Sequence, residues 1–293
     1  MSEQFRDLQL SDESSVRELC KDIWEGNDYV PDRFSSWIKE DNSNPVGLLI
    51  DGELVALGNL AAAPDSPVAW IKGLRVNTSR QHEGHGTKLV EHMIDLARKR
   101  GIKKLRYATG SRNEHSVHLA KNLGFEVANS IGYFRLSKPY PQHPTPSPVT
   151  VPLVVNSERL HEVLSSTPEL VEAETLSLLW EFEDKEPEGL LRLENKTEFK
   201  LIVSDAGNAK GLFYGASVER NGSKTATYSI FATDRGVFID IMARILEELD
   251  NSGADRAVFF LGPRATEWAP SLLIVPDDYM GRRYLLLELG LEG

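Results

Sequence analysis

The sequence predicts a mixed α/β chain made of two units, each a sheet of mixed strand direction with helices packed on it. Three observations carry this reading. Strand-like and helix-like segments alternate through the first half: strand, two helices, a three-strand meander, a long helix, a strand, a short helix and a last strand. A similar order returns after residue 149. Between the two runs, Lys138 to Pro148 reads KPYPQHPTPSP, with prolines at 139, 141, 144, 146 and 148. Proline fixes φ and removes a donor, so this segment should be extended and outside any sheet interior. The expected division is therefore 1–137, a linker 138–148, and 149–293. A proline-motif ligand for a partner domain is the alternative use of that linker.

The elements follow from local pattern. Phe5–Leu10 alternates like a strand, and Ser11–Trp24 has helical spacing through Val16, Leu19, Cys20 and Ile23, with Ser11 or Asp12 available as N-cap. Pro31–Lys39 opens on a proline, which suits a first helical turn. Val46–Ile50 and Glu53–Ala62 form a hairpin, because Asp51-Gly52 can supply the positive φ angles of a tight turn. Ala69–Val76 adds a third strand. Gly86–Arg100 is an amphipathic helix through Leu89, Met93, Leu96 and Ala97, stopped by Gly101. Lys103–Ala108 is a strand, Glu114–Asn122 a short helix, and Ile131–Leu136 a strand.

Composition narrows the function classes. With 293 residues, 41% hydrophobic and 8% aromatic, the chain can bury a substantial core. A formal charge of −11 argues against a general nucleic-acid binder, which needs clustered Lys and Arg, and against an anionic membrane surface. No stretch approaches the roughly 20 apolar residues of a membrane span. The start, MSEQFRDLQL, has neither a basic nor an apolar signal region, and the one cysteine, Cys20, excludes an intramolecular disulfide. A cytoplasmic location is the expectation. Cys20 sits in an apolar helical pattern and reads as a packed thiol.

The chemistry concentrates at Gly73-Leu74-Arg75-Val76, then Asn77–Arg80, then Gln81-His82-Glu83-Gly84-His85-Gly86-Thr87 and the long helix. A helix start exposes unpaired N–H groups and the positive end of the dipole, and glycines let that backbone approach an anion closely. The geometry suits a diphosphate. Gly73 inside a strand suggests a bulge that frees backbone groups for a ligand. A structural glycine turn before a helix is the plainer alternative.

On these residues the chain resembles the GNAT superfamily of N-acetyltransferases. The signature Q/R-x-x-G-x-G/A stands as Gln81, Gly84 and Gly86, after Leu74-x-Val76. A second family motif downstream stands as Asn113, Ser116, Ala120, Gly124 and Phe125. The resemblance covers about residues 5–136. It implies a GNAT fold and acetyl-CoA as cosubstrate. Leu74 and Val76 would hydrogen-bond the pantetheine arm. The amides from Gln81 through His82, Gly84, His85 and Gly86 to Thr87 would cradle the diphosphate, and Asn113 and Ser116 would lie beside the pantetheine. The N–H of Val76 would be the oxyanion donor. Many relatives carry a tyrosine acid where this chain has Ala120, so Tyr133, on the following strand, is the substitute candidate. No acidic residue lies within Trp70–Val76, which points to a water-mediated base.

The acceptor would bind the segment between the first two helices, where Trp24, Asp28 and Tyr29 suit a cationic or aromatic amine. Ordinary surface and core aromatics are the bland alternative there. That segment, the GLRV strand and the length are similar to vertebrate histidine N-acetyltransferase-like proteins, which implies a free amino-acid acceptor. His82 with His85, and His115 with His118, are each three apart, but no cysteine joins them and no metal is expected.

In the second half, Val151–Val155 reads as a strand, and Ser157–Ser166 and Glu172–Trp180 as helices. Lys200–Ser204 and Gly211–Val218 read as paired strands, followed by a strand at Thr225–Ala232, a helix at Val237–Asp250, and strands at Arg256–Leu261 and Tyr284–Leu289. Its strand-to-helix junction, Ala232-Thr233-Asp234-Arg235-Gly236, lacks the phosphate signature. A degenerate GNAT-like unit that does not bind CoA is expected, with an unrelated α+β unit as the alternative. Three functions remain open: transfer to a small amine or amino acid, transfer to a protein or peptide, and acyl-CoA binding without transfer. The oligomeric state is not legible.

Overall fold

The computed structural model describes residues 2–26, 28–62, 66–148, 150–220 and 222–291. In chain order the elements are β1 (Glu3–Asp7), α1 (Glu13–Cys20), α2 (Val30–Lys39), β2 (Ser43–Ile50), β3 (Glu53–Ala61), β4 (Val68–Val76), α3 (His85–Lys99), β5 (Lys104–Gly110), α4 (Glu114–Asn122) and β6 (Glu126–Ser137). They continue with β7 (Leu153–Val155), α5 (Ser157–Ser166), β8 (Thr175–Leu178), β9 (Glu181–Asp184), α6 (Pro187–Glu194), β10 (Phe199–Val203), β11 (Ala209–Arg220), β12 (Ser223–Ala232), α7 (Arg235–Ser252), β13 (Arg256–Leu261), α8 (Pro263–Trp268) and β14 (Arg283–Gly290). Setting aside the small β8–β9 hairpin, the second series repeats the order of the first.

The chain forms two compact units that interleave along the sequence. One comprises residues 1–109, 113–128 and 286–293, the other 110–112 and 129–285. The sequence expectation divides the chain at 138–148 instead. The difference arises because β6 from residue 129 onward belongs to the second unit, while the end of β14 belongs to the first.

In the first unit β1, β2, β3 and β4 form an antiparallel meander, and β5 joins β4 in parallel. Parallel strands need a crossover, and α3 supplies it. The hairpin turn is the expected one: Asp51 and Gly52 have φ of 48° and 87°. Residues 286–290 of β14 lie alongside β5, where Glu288 pairs with Arg106. Val16, Leu19 and Cys20 of α1 and Phe34 and Trp37 of α2 pack with Leu49, Leu54 and Leu57. Each such large apolar side chain contributes about 1.5–3 kcal/mol on burial. α1 is shorter than Ser11–Trp24, because Leu10–Asp12 closes into a 3-10 turn in which Asp12 accepts from the Gln9 amide and from Arg6.

In the second unit the strand order is β6-β13-β12-β11-β10-β7, with β12 and β13 parallel and α7 crossing between them. Phe238, Ile241, Met242, Ile245 and Leu249 of α7 build one core with Phe213, Tyr228 and Phe259. Leu160 of α5 and Leu190 and Leu193 of α6 build another with Leu201 and Leu212. Glu172–Trp180, expected as a helix, is not one. Thr175–Leu178 is a strand paired with Glu181–Asp184, turned by Leu179 at φ 57°. Its Leu-rich composition has helical propensity, but both faces are buried, and tertiary pairing decides.

Candidate active site

The first feature is the bulge in β4. The β3–β4 register runs Leu57↔Arg75 and then Asn59↔Lys72, so the pairing slips around Gly73. Gly73 has φ 59°, and a Cβ there would stand 2.5 Å from Cη2 of Trp37, so no side chain fits. The β5 ladder ends at Ile71↔Tyr107 while β4 runs on to Val76, so the two strands part at this point. The Asn77 amide donates to the Val55 carbonyl at 2.9 Å, which makes Asn77–Val55 the hydrogen-bonded pair. Antiparallel pairs alternate, so Val76, opposite Ala56, turns its N–H away from β3 toward the parted side.

The second feature is the start of α3. Gly84 is its N-cap at φ 81°, with no side-chain cap, and a Cβ at Gly84 would meet nothing within 4 Å. The amides of the first turn therefore lack the usual side-chain acceptor. Glu83, the nearest carboxylate in sequence, turns to Arg80 at 3.0 Å and to Nε2 of His85 at 3.1 Å. His85 is 6% exposed, and its Nδ1 is buried with no hydrogen-bond partner among the described residues. Gly86 brings α3 close to Leu119 of α4 and to Val76. At Gln81 the backbone is extended, and Thr87 lies in the first turn of α3. Leu74 turns its side chain toward Met93 of α3, since both approach the position of a Cβ at Gly58. His82, at φ 67°, sets its ring edge-on to His115 at 5.3 Å.

Asn113 caps α4, accepting from the Ser116 amide at 3.4 Å and donating to Thr109 Oγ1 at 3.2 Å. The Ser116 hydroxyl meets the phenol of Tyr107, whose pKa burial pushes up. Ala120 is buried.

Trp24, Asp28 and Tyr29 come together, but around a residue of the same unit. Arg75 donates from Nε to Asp28 Oδ2 and from NH2 to Oδ1, both at 2.7 Å. Its guanidinium lies 4.3 Å from the Trp24 ring centre and 5.3 Å from that of Tyr29. Burial pushes the Asp28 carboxyl up, but the hydrogen bonds and charge of Arg75 outweigh it and hold the group below the usual carboxylate range. The Cys20 thiol lies near the same carboxylate. Burial first, then Asp28, pushes the thiol up to about 12, so it is no nucleophile at neutral pH. Arg75 was legible only as part of the strand motif, because the pairing needs the partner's position in space.

Tyr133 belongs to the second unit. Its ring packs against Trp180, Phe260, Tyr279 and Tyr284, with centroids 5.8–6.4 Å away. Its hydroxyl oxygen lies 3.3 Å from where a Cβ would stand at Gly110.

The Acetyltransferase (GNAT) family model matches residues 5–125. A histidine N-acetyltransferase of Oreochromis niloticus is 26% identical over 97 residues, which are 33% of this chain and 29% of that protein. The enzyme of the same name from Scomber australasicus is 25% identical over 95 residues, 32% of this chain and 28% of that protein. The chain thus spans under a third of the curated relatives it matches. Among solved structures, the tandem GNAT protein from the clavulanic acid biosynthesis pathway superposes with a TM-score of 0.62 at 14% identity, over 100% of this chain and 99% of that one. The GCN5-related N-acetyltransferase from Sphaerobacter thermophilus superposes with a TM-score of 0.66 at 14% identity, over 99% of this chain and 96% of that one. These two likenesses speak to the fold, and they extend through both units. A bulged strand and an uncapped helix start thus fall within residues 5–125, the stretch that matches the GNAT acetyltransferase family model.

Proposed function

We propose that the protein is an acetyl-CoA-dependent N-acetyltransferase acting on a small amine or a free amino acid. The observation that supports it most is the start of α3, where the αL residue Gly84 leaves the first amides without a side-chain cap. Those residues fit a diphosphate. The backbone from Gln81 to Thr87, through His82, Gly84, His85 and Gly86, would hold it, with the helix dipole favouring its charge. Leu74 and Val76 would hold the pantetheine arm along the parted edge of β4, with Asn113 and Ser116 beside it.

Acetyl-CoA supplies an acetyl thioester activated toward attack by an amine. Val76 would offer its N–H to an acyl oxygen as negative charge develops there. Between Trp70 and Val76 no carboxylate stands ready as base, so the amine proton would leave through water. Tyr133, named from the sequence as the candidate proton donor to the leaving thiolate, belongs to the second unit, where its ring is held by four aromatic neighbours. The amino-acid acceptor takes its support from the names of the two fish relatives.

A second reading, acyl-CoA binding without transfer, takes its support from buried Ala120 in the place of the family's tyrosine. Incubation with acetyl-CoA and a panel of amines, amino acids and peptides, read by mass spectrometry, separates the readings. An acetylated small amine supports the first; bound CoA with no acetylated product sinks it. Gly84→Glu tests the site itself. It meets open space but an αL backbone, at about 1–2 kcal/mol of strain. It should keep the circular dichroism of the fold and lose CoA affinity in calorimetry. Retained affinity would overturn the site.

A further inference from the structure

Arg75 leaves β4 two residues after the bulge, on the face covered by α1 and α2, since a Cβ at Gly73 on the same side would meet Trp37 and Val30. A guanidinium has five N–H donors. Here Nε and NH2 serve Asp28, and NH1 serves the Leu74 carbonyl at 2.9 Å. One N–H on each terminal nitrogen therefore has no partner among the described residues. These two nitrogens are the pair that a carboxylate can bridge. The plane of the group is fixed by Asp28 on its side and by Trp24 and Tyr29 over its face. The Arg75 side chain keeps 11% exposure, and the Trp24 ring over it is 58% exposed. Asp28 offsets the charge of Arg75. A fork without net charge suits a zwitterion, whose own ammonium balances its carboxylate, better than it suits a bare dianion.

We propose that Arg75 binds the carboxylate of the acceptor and so selects free amino acids over amines that lack one; this rests on the N-acetyltransferase reading. Asp28 is then a positioning residue. It does not touch the acceptor but sets the plane of the fork.

The test uses the full chain and matched probes: histidine with histamine, and tryptophan with tryptamine. Binding is read by calorimetry with CoA present, and transfer by product formation. The wild type should bind the amino acid of each pair at least about tenfold more tightly than its decarboxylated partner. Arg75→Lys keeps a charge for Asp28 but loses the planar fork, and the ratio should collapse toward one. If Arg75→Lys fails to fold, the double variant Arg75→Gln with Asp28→Asn removes both charges, leaves no unpaired buried carboxylate, and should show the same collapse. Equal wild-type affinity for both members of each pair, or a wild-type ratio retained in a folded variant, overturns the assignment. Selective binding that depends on Arg75 but yields no product would overturn only the transferase reading. Transfer to acids and amines alike would overturn only the role of Arg75.

Discussion

Gly84 and Asp234 stand at corresponding points of the two repeated strand–helix crossovers, yet only Asp234 caps its helix. The Asp234 carboxylate accepts from the Val237 amide at 2.9 Å, whereas the start of α3 has no side-chain cap. One helix start is left without a side-chain cap, and the other carries its own carboxylate. The protein should therefore bind one CoA per chain. Asp234→Ala should cost about 1 kcal/mol in urea unfolding through loss of the cap. It should leave the calorimetric stoichiometry at one. A second equivalent of CoA in either protein would show that the second unit keeps a working site.

The Asp28–Arg75 pair predicts an acid-sensitive stability. Both side chains are largely buried, so Asp28→Ala, which strands Arg75, should cost about 3–5 kcal/mol. The Asp28 pKa is lowered in the folded protein. A lowered carboxyl binds its proton less readily when folded than when unfolded. The pair's contribution is thus present above the unfolded value of about 3.9 and is lost as pH falls through the folded one. Urea midpoints of wild type and Asp28→Asn should differ at pH 7 and converge below about pH 4. A gap that persists at acid pH would argue against the pair as its source.

The end of the chain should stabilise the first unit. Arg106 is 2% exposed, and its Nε donates to Glu288 at 2.7 Å, with Lys104 at 3.2 Å from the same carboxylate. Glu288→Ala leaves a buried guanidinium without that partner, at a cost of about 3–5 kcal/mol. Hydrogen exchange should then show lost protection in β4 and β5, and deletion of residues 286–293 should be more severe. Unchanged protection in β5 after either change would mean the strand is dispensable there.

What the sequence determined is local. Asp51-Gly52 specifies its hairpin because two successive positive φ angles favour those residues. Glu114–Asn122 is legible as a short helix, and the structure adds its cap, Asn113. The loop from Gln81 to Gly86 is legible as a glycine-containing entry to a helix, and Gly84 takes the αL conformation there. Tertiary structure decided the rest. Asp28 meets Arg75 across 47 residues and Arg106 meets Glu288 across 182, and no periodicity encodes either pairing. The same holds for the last strand, Tyr284–Leu289, legible as a strand but not as part of one unit or the other. A strand's pattern records which faces are buried; its neighbours are chosen by the whole sheet. Thr175–Leu178 shows the same limit in reverse, since four residues, Thr-Leu-Ser-Leu, are too short a run for their alternation to distinguish a strand from a helix.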